Sequence, residues 1–184
     1  MKILRMMHVK RFYVNYFSGF SLEGEEELFE SYIDTSDYCV AGFSYGAQKA
    51  FEYVYHTTQR VDKLILLSPA FFQTQKPSFI RTQLRYFEAN NETYIKQFLH
   101  NVSYPSNIDL SNYLRIGNKK ELEALLTYKW DLRKLQAIQS RGTVIEVFLG
   151  EKDKIIDSGK ALAFFTGITR YFIKDVGHLL KGES

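Results

Sequence analysis

One cysteine, three prolines and no long apolar run set the first limits on this 184-residue chain. A single thiol, Cys39, excludes an internal disulfide and suits a reducing, cytoplasmic compartment. It sits in the apolar run "YCVAGF", where a thiol is expected to be buried and inert rather than reactive. No window approaches the roughly 18 apolar residues of a membrane span, so no membrane association is expected. The opening "MKILRMMHVKRFYV" interrupts its apolar residues with Lys and Arg and lacks the continuous core of a signal peptide. Without export, the glycosylation-like triplets "NET" (91–93) and "NVS" (101–103) carry no weight. The net charge of +3 is too small to point to nucleic acid. Repeats, low-complexity tracts and linkers are missing too, which leaves a single domain over 1–184.

What the chain does have is apolar and aromatic content: 45% hydrophobic residues, with thirteen Tyr and fifteen Phe. A core built from aromatics is expected, with some rings free to line an apolar pocket. "VKRFYVNYF" (9–17) reads as a strand, "SGFS" (18–21) as a turn and "LEGEEELFESYI" (22–33) as a helix with acids in its first turns. The seven acids between 22 and 37, with no base among them, fit a solvated face. "DYCVAGF" (37–43) is a short apolar strand, and the helix after it has apolar residues at 47, 50, 51 and 54. Further strands are expected within 61–72, at 143–150 and at 168–174, with a helix at "SGKALAFF". Residues 73–141 are different in kind, holding amphipathic helical pieces at "FIRTQLRYFEA", "ETYIKQFL" and "KKELEALLTYKW". The alternation predicts an α/β fold with a mostly parallel sheet, right-handed crossovers and a helical lid insertion over one edge. Ligands of such sheets bind at the carboxyl ends of the strands.

At one of these ends lies Gly42-Phe43-Ser44-Tyr45-Gly46. Gly-x-Ser-x-Gly alone arises by chance in roughly one chain in twenty of this length. Its context is what matters: a strand before and a helix after are what a serine nucleophile on a strained turn requires. A serine also needs a histidine base held by a carboxylate. His8, His56 and His100 suit surface or packing roles, whereas His178 follows the last strand in the turn "DVGHLL". Asp153 ends the strand "VIEVFLG" and is the preferred acid, ahead of Asp157, which suits a helix cap, and Asp175, in the histidine's own turn. The order Ser44, Asp153, His178 is that of α/β-hydrolases. Backbone donors for an oxyanion are expected from the Tyr45 amide and, after the turn at Gly19, from the Phe20 amide. The pattern calls for neither cofactor nor metal.

These segments carry a resemblance. Over nearly the whole chain the sequence resembles the pimeloyl-acyl-carrier-protein methyl ester esterases of biotin synthesis, most closely the short epsilonproteobacterial form, BioV. The likeness is carried by "YFSGFSLEGEEELFE", "VAGFSYGAQKAFEYVY", "LILLSPAFF", "ELEALLTYKW", "VIEVFLGEKDKIID" and "FIKDVGHLLK". The chain departs from ordinary α/β-hydrolases in its brevity. Only residues 22–43 separate "SGFS" from Ser44, and the usual His-Gly before the oxyanion donor reads Ser18-Gly19. The resemblance implies hydrolysis of the methyl ester on a carrier-bound pimeloyl chain.

It also implies a partner, an acidic acyl carrier protein. Residues 81–141 carry ten Lys or Arg against six Asp or Glu, a net of +4 that suits such a partner. Arg81 and Arg85 share one helix face in "RTQLRYF", a stretch similar to the lid with which larger esterases of this class meet their carrier. Arg115, Lys119 and Lys120 are further candidates, and a solvated face without a partner is the alternative. Two other functions fit the same chain: a generic carboxylesterase or thioesterase acting on small acyl esters, or a catalytically silent binding module.

Overall fold

The structure, a computed structural model, describes residues 15–183; most of the strand expected over 9–17 lies outside the described residues. Five strands form one sheet in the order β1 (Tyr16–Phe17), β2 (Cys39–Phe43), β3 (Lys63–Leu67), β4 (Val144–Gly150) and β5 (Thr169–Ile173). Every neighbouring pair is parallel, with Val40 opposite Leu64 and Leu64 opposite Ile145 in the centre. Alternation along the strands sorts side chains to two faces. Val40, Leu64, Leu66, Ile145, Val147 and Leu149 join one core with Phe51, Phe71 and Phe165. Cys39, Ala41, Phe43, Ile65 and Leu67 join a second core with Phe29 and Leu179. Burial on both faces explains why β2 and β3 read as continuous apolar runs. Cys39 is 7% exposed, and burial pushes its thiol up to about 11.

Helix α1 (Tyr45–His56) buries Ala47, Ala50, Phe51 and Val54, the expected stripe. The segment 22–33 corrects its sequence reading. Gly24 takes a left-handed conformation (φ 77°), which stops a helix from starting at Leu22, and only a 3-10 turn forms over Glu25–Phe29. Its acids are not all solvated, because Glu25 is fully buried.

The insertion holds four helices: α2 (Pro77–Ala89), α3 (Asn91–Ser103), α4 (Lys119–Thr127) and α5 (Leu132–Ser140). It leaves from β3, the middle strand, and returns at β4 beside it, so it reaches across the carboxyl ends of the sheet. The Phe20 ring, just after β1, packs edge-on against Phe98 of α3 and near Phe87 of α2. Helix α4 ends three residues earlier than the apolar pattern predicts. Tyr128 turns extended, and this lets Trp130 reach back to donate from Nε1 to the Ala70 carbonyl (2.9 Å) and from its amide to Gln73 (2.8 Å). Helix α6 (Ser158–Phe164) is capped by Asp157, the role expected of that residue. Among the described residues, no helix is long and apolar enough to cross a membrane.

Candidate active site

Ser44 sits between β2 and α1 with φ 55° and ψ −112°, a backbone conformation that L-residues rarely hold. Neighbouring backbone holds it there. Its N–H donates to the Leu67 carbonyl (2.9 Å), and its carbonyl accepts from Ala47 and Ala70 (3.1 Å each). The flanking glycines are steric necessities. A Cβ at Gly46 would lie 1.9 Å from the Phe17 carbonyl oxygen, and one at Gly42 would lie 2.3 Å from that of Gly46. The β1 end therefore rests directly on the first turn of α1.

The three side chains singled out from sequence meet. Ser44 Oγ is 2.8 Å from His178 Nε2, and His178 Nδ1 is 2.6 Å from Asp153 Oδ2. Asp153 is itself oriented, since its Oδ1 accepts the backbone N–H groups of Ile155 (2.7 Å) and Ile156 (3.1 Å). Ser44 is 1% exposed and the His178 side chain is fully enclosed, with its ring 5.0 Å from that of Phe43. The His178 carbonyl accepts from the Ser68 hydroxyl at 2.6 Å, which ties the histidine's loop to the end of β3. Gly150 and Gly177 let that loop pass, because a Cβ at Gly150 would lie 2.3 Å from the Gly177 carbonyl oxygen.

The two amides expected to serve an oxyanion, those of Phe20 and Tyr45, have no acceptor among the described residues. Gly19, just before Phe20, has its carbonyl engaged by the Leu22 N–H (3.3 Å). In a trans peptide the N–H points opposite to the C=O, so the Phe20 N–H is directed away from that turn. Beside the triad, a cavity of about 550 Å³ lies between α2, α3, α4 and the loop after β4. Phe72, Phe79, Phe98 and Leu125 form its apolar wall, with Gln97 and Asn101 among its polar groups and Asp153 also in its lining.

By sequence, no family model and no curated protein matches the chain. By structure it is similar to MenH from S. aureus, with a TM-score of 0.58, 17% identity and cover of 89% of this chain and 85% of that one. An α/β-hydrolase fold protein from Burkholderia ambifaria gives a TM-score of 0.52 and 16% identity, with 77% and 59% covered. Naproxen esterase from Bacillus subtilis gives 0.50 and 21%, with 77% and 53% covered. The chain has the α/β-hydrolase fold. It spans little more than half the length of some of the hydrolases it matches.

Within this α/β-hydrolase fold, the rival residues fall elsewhere. His56 ends α1, exposed, 3.4 Å from Glu52, and His100 lies on the exposed side of α3. His8 is outside the described residues. Asp175 pairs with Lys152 (2.9 Å) at the surface. Of the basic residues, Arg115 is bonded to Glu121 (2.7 Å) and Lys119 to Glu88 (2.6 Å), whereas Arg81, Arg85 and Lys120 form no ion pair among the described residues. Sequence reasoning missed two polar residues that brace the site. Gln48 donates from Nε2 to the carbonyls of Ala70 (3.0 Å) and Leu125 (3.1 Å), joining α1 to the lid. Glu25 accepts the Gly19 N–H at 2.8 Å. Neither carried a motif, and Glu25 was hidden in an acidic run.

Proposed function

We propose that this chain is a serine ester hydrolase whose nucleophile is Ser44. The observation that carries the reading is the continuous hydrogen-bonded line from Ser44 Oγ through His178 to Asp153, beginning at a strained residue. His178 Nε2 takes the Ser44 proton as Oγ attacks the ester carbonyl, and the imidazolium then returns that proton to the departing alcohol. Asp153 holds Nδ1–H and so keeps Nε2 free to act as base. The Phe20 and Tyr45 amides stabilise the oxyanion. Water activated by the same imidazole resolves the acyl-enzyme. Because Ser44 is only 1% exposed, an ester reaches it only when the groups that cover it move aside. A fluorophosphonate probe should label the protein and fail to label Ser44→Ala. Absence of labelling in the folded wild type would leave only the silent binding module.

The finer reading is the methyl ester of a pimeloyl chain held on an acyl carrier protein. Its supports are the sequence resemblance, the largely apolar cavity beside Asp153, and two arginines one turn apart on α2, Arg81 and Arg85, that form no ion pair among the described residues. A generic carboxylesterase is the competing reading, favoured by the internal ion pairs of Arg115 and Lys119, which leave fewer cations for an acidic partner. The deciding experiment is complementation of a bacterium lacking its pimeloyl-carrier esterase, on medium without biotin. Growth supports the carrier-bound substrate. No growth with soluble, probe-reactive protein leaves the generic esterase. Arg81→Glu with Arg85→Glu should slow turnover of the carrier-bound ester and spare a small ester; equal effects on both would reject carrier docking on α2.

A further inference from the structure

Among the described residues, one buried carboxylate is not used by the proposed chemistry. Glu25 is fully buried in the 3-10 turn after the Ser18–Phe20 loop. Its Oε1 accepts two hydrogen bonds, from the Gly19 N–H (2.8 Å) and the Tyr16 hydroxyl (3.0 Å). Among the described residues its other oxygen has no well-formed hydrogen bond. Burying an ionisable group is costly. Here the acceptor fixes the loop that carries a candidate oxyanion donor. We infer that Glu25 is the positioning residue of the oxyanion loop: it clamps the Gly19 amide so that the next amide, that of Phe20, stays aimed at the carbonyl being attacked.

The geometry gives the clamp its leverage. The Gly19–Phe20 peptide is held on one side by Leu22, through the Gly19 carbonyl, and just upstream by Glu25, through the Gly19 N–H. Tyr16, the other donor to Glu25, lies in β1, whose end presses on the first turn of α1 beside Tyr45. A single carboxylate oxygen thus links the strand and the loop that lie against the turn bearing the second amide. The surrounding packing allows little slack, since a Cβ at Gly19 would already lie 2.9 Å from the Phe43 ring. Losing an oxyanion donor outright costs about 10²–10³ in kcat. A donor that remains but drifts should cost about 10–100-fold.

The inference rests on the serine hydrolase reading, and its test separates the two. Wild type, Glu25→Gln, Glu25→Met and Glu25→Asp are compared on p-nitrophenyl butyrate, with melting temperature and fluorophosphonate labelling measured alongside. Gln keeps an oxygen for the Gly19 N–H, so kcat should stay within about threefold of wild type. Met fills the space without an acceptor, and kcat should fall about 10–100-fold with KM unchanged. A trifluoromethyl ketone, whose hydrated or serine-bound form places an oxygen in the same hole, should lose affinity in the Met variant by a similar factor. If Met does not fold, Asp, which withdraws the carboxylate by one methylene, should show the same kcat loss. A folded Met or Asp variant with kcat within threefold of wild type overturns the inference, as does a loss in Gln equal to that in Met. Failure of the wild type to label would instead overturn the underlying hydrolase reading.

Discussion

Asp153→Asn is the substitution that most directly tests the arrangement of the triad. In the native protein Asp153 Oδ1 accepts two backbone N–H groups and Oδ2 faces His178 Nδ1 at 2.6 Å. An asparagine must turn its carbonyl oxygen toward the Ile155 and Ile156 amides, because an NH₂ placed there would meet two donors. Its NH₂ then faces Nδ1, and the imidazole must carry its proton on Nε2. That nitrogen, 2.8 Å from Ser44 Oγ, becomes a donor and no longer takes the serine proton. Wrong-tautomer variants of such triads lose about 10⁴ in kcat, equivalent to about 5.5 kcal/mol of barrier. The fold should hardly notice, since both Ile amides keep their acceptor. Asp153→Ala, by contrast, strands those amides and should cost about 2 kcal/mol of stability as well. The assay is kcat/KM on p-nitrophenyl butyrate together with urea denaturation. An Asp153→Asn protein of unchanged stability that retains activity within tenfold of wild type would refute the assigned orientation of the triad.

Other outcomes follow from the buried braces. Burial is the main influence on Glu25 and raises its carboxyl above the usual range despite the Gly19 N–H. The stability linked to this raised group is complete below the unfolded glutamate pKa of about 4.3 and is lost as pH rises through the folded value. The melting temperature of Glu25→Gln relative to wild type should therefore climb as pH rises from about 4 to neutrality; a flat difference would contradict it. Gln48→Leu takes the Gln48 donor from the buried Leu125 carbonyl, whereas the Ala70 carbonyl keeps Trp130 Nε1, and should cost about 1–3 kcal/mol in urea denaturation; an unchanged stability would contradict it. Gly46→Ala forces a methyl to 1.9 Å from the Phe17 oxygen and should yield insoluble protein or a collapsed far-UV spectrum.

The sheet and the triad were legible in the sequence for one reason: each belongs to a pattern that neighbours in sequence complete. Apolar runs bounded by turns gave β2, β3 and β4, and the strand–glycine–serine–glycine–helix succession gave the elbow. What was not legible depends on partners distant along the chain. Helix α4 stops at Thr127 because Trp130 has a carbonyl to reach in the segment after β3, 60 residues earlier. Glu25 looked like one more solvated acid until Gly24 stopped the helix and turned it inward under the loop. The acyl-carrier surface is illegible for a different reason. Exposed arginines on α2 look the same whether a partner or water covers them.

A short chain can still hold a buried triad because one segment, residues 67–70 at the end of β3, serves both halves of it. The Leu67 carbonyl accepts the Ser44 N–H, and the Ala70 N–H returns a bond to the Ser44 carbonyl. Between them, Ser68 donates its N–H to Phe148 of β4 (2.8 Å) and its hydroxyl to the His178 carbonyl (2.6 Å). The nucleophile's strand and the base's loop are thus fixed to a common post at the middle of the sheet, and their separation does not depend on elements farther out. Ser68→Ala tests this. The loss of one buried hydrogen bond should lower stability by about 1–2 kcal/mol. If the post sets the distance between Ser44 and His178, kcat should also fall several-fold with KM unchanged, since a small misplacement of a base is amplified in the rate. A variant that loses the stability and keeps full kcat would mean that the His178 loop is positioned by Asp153 alone.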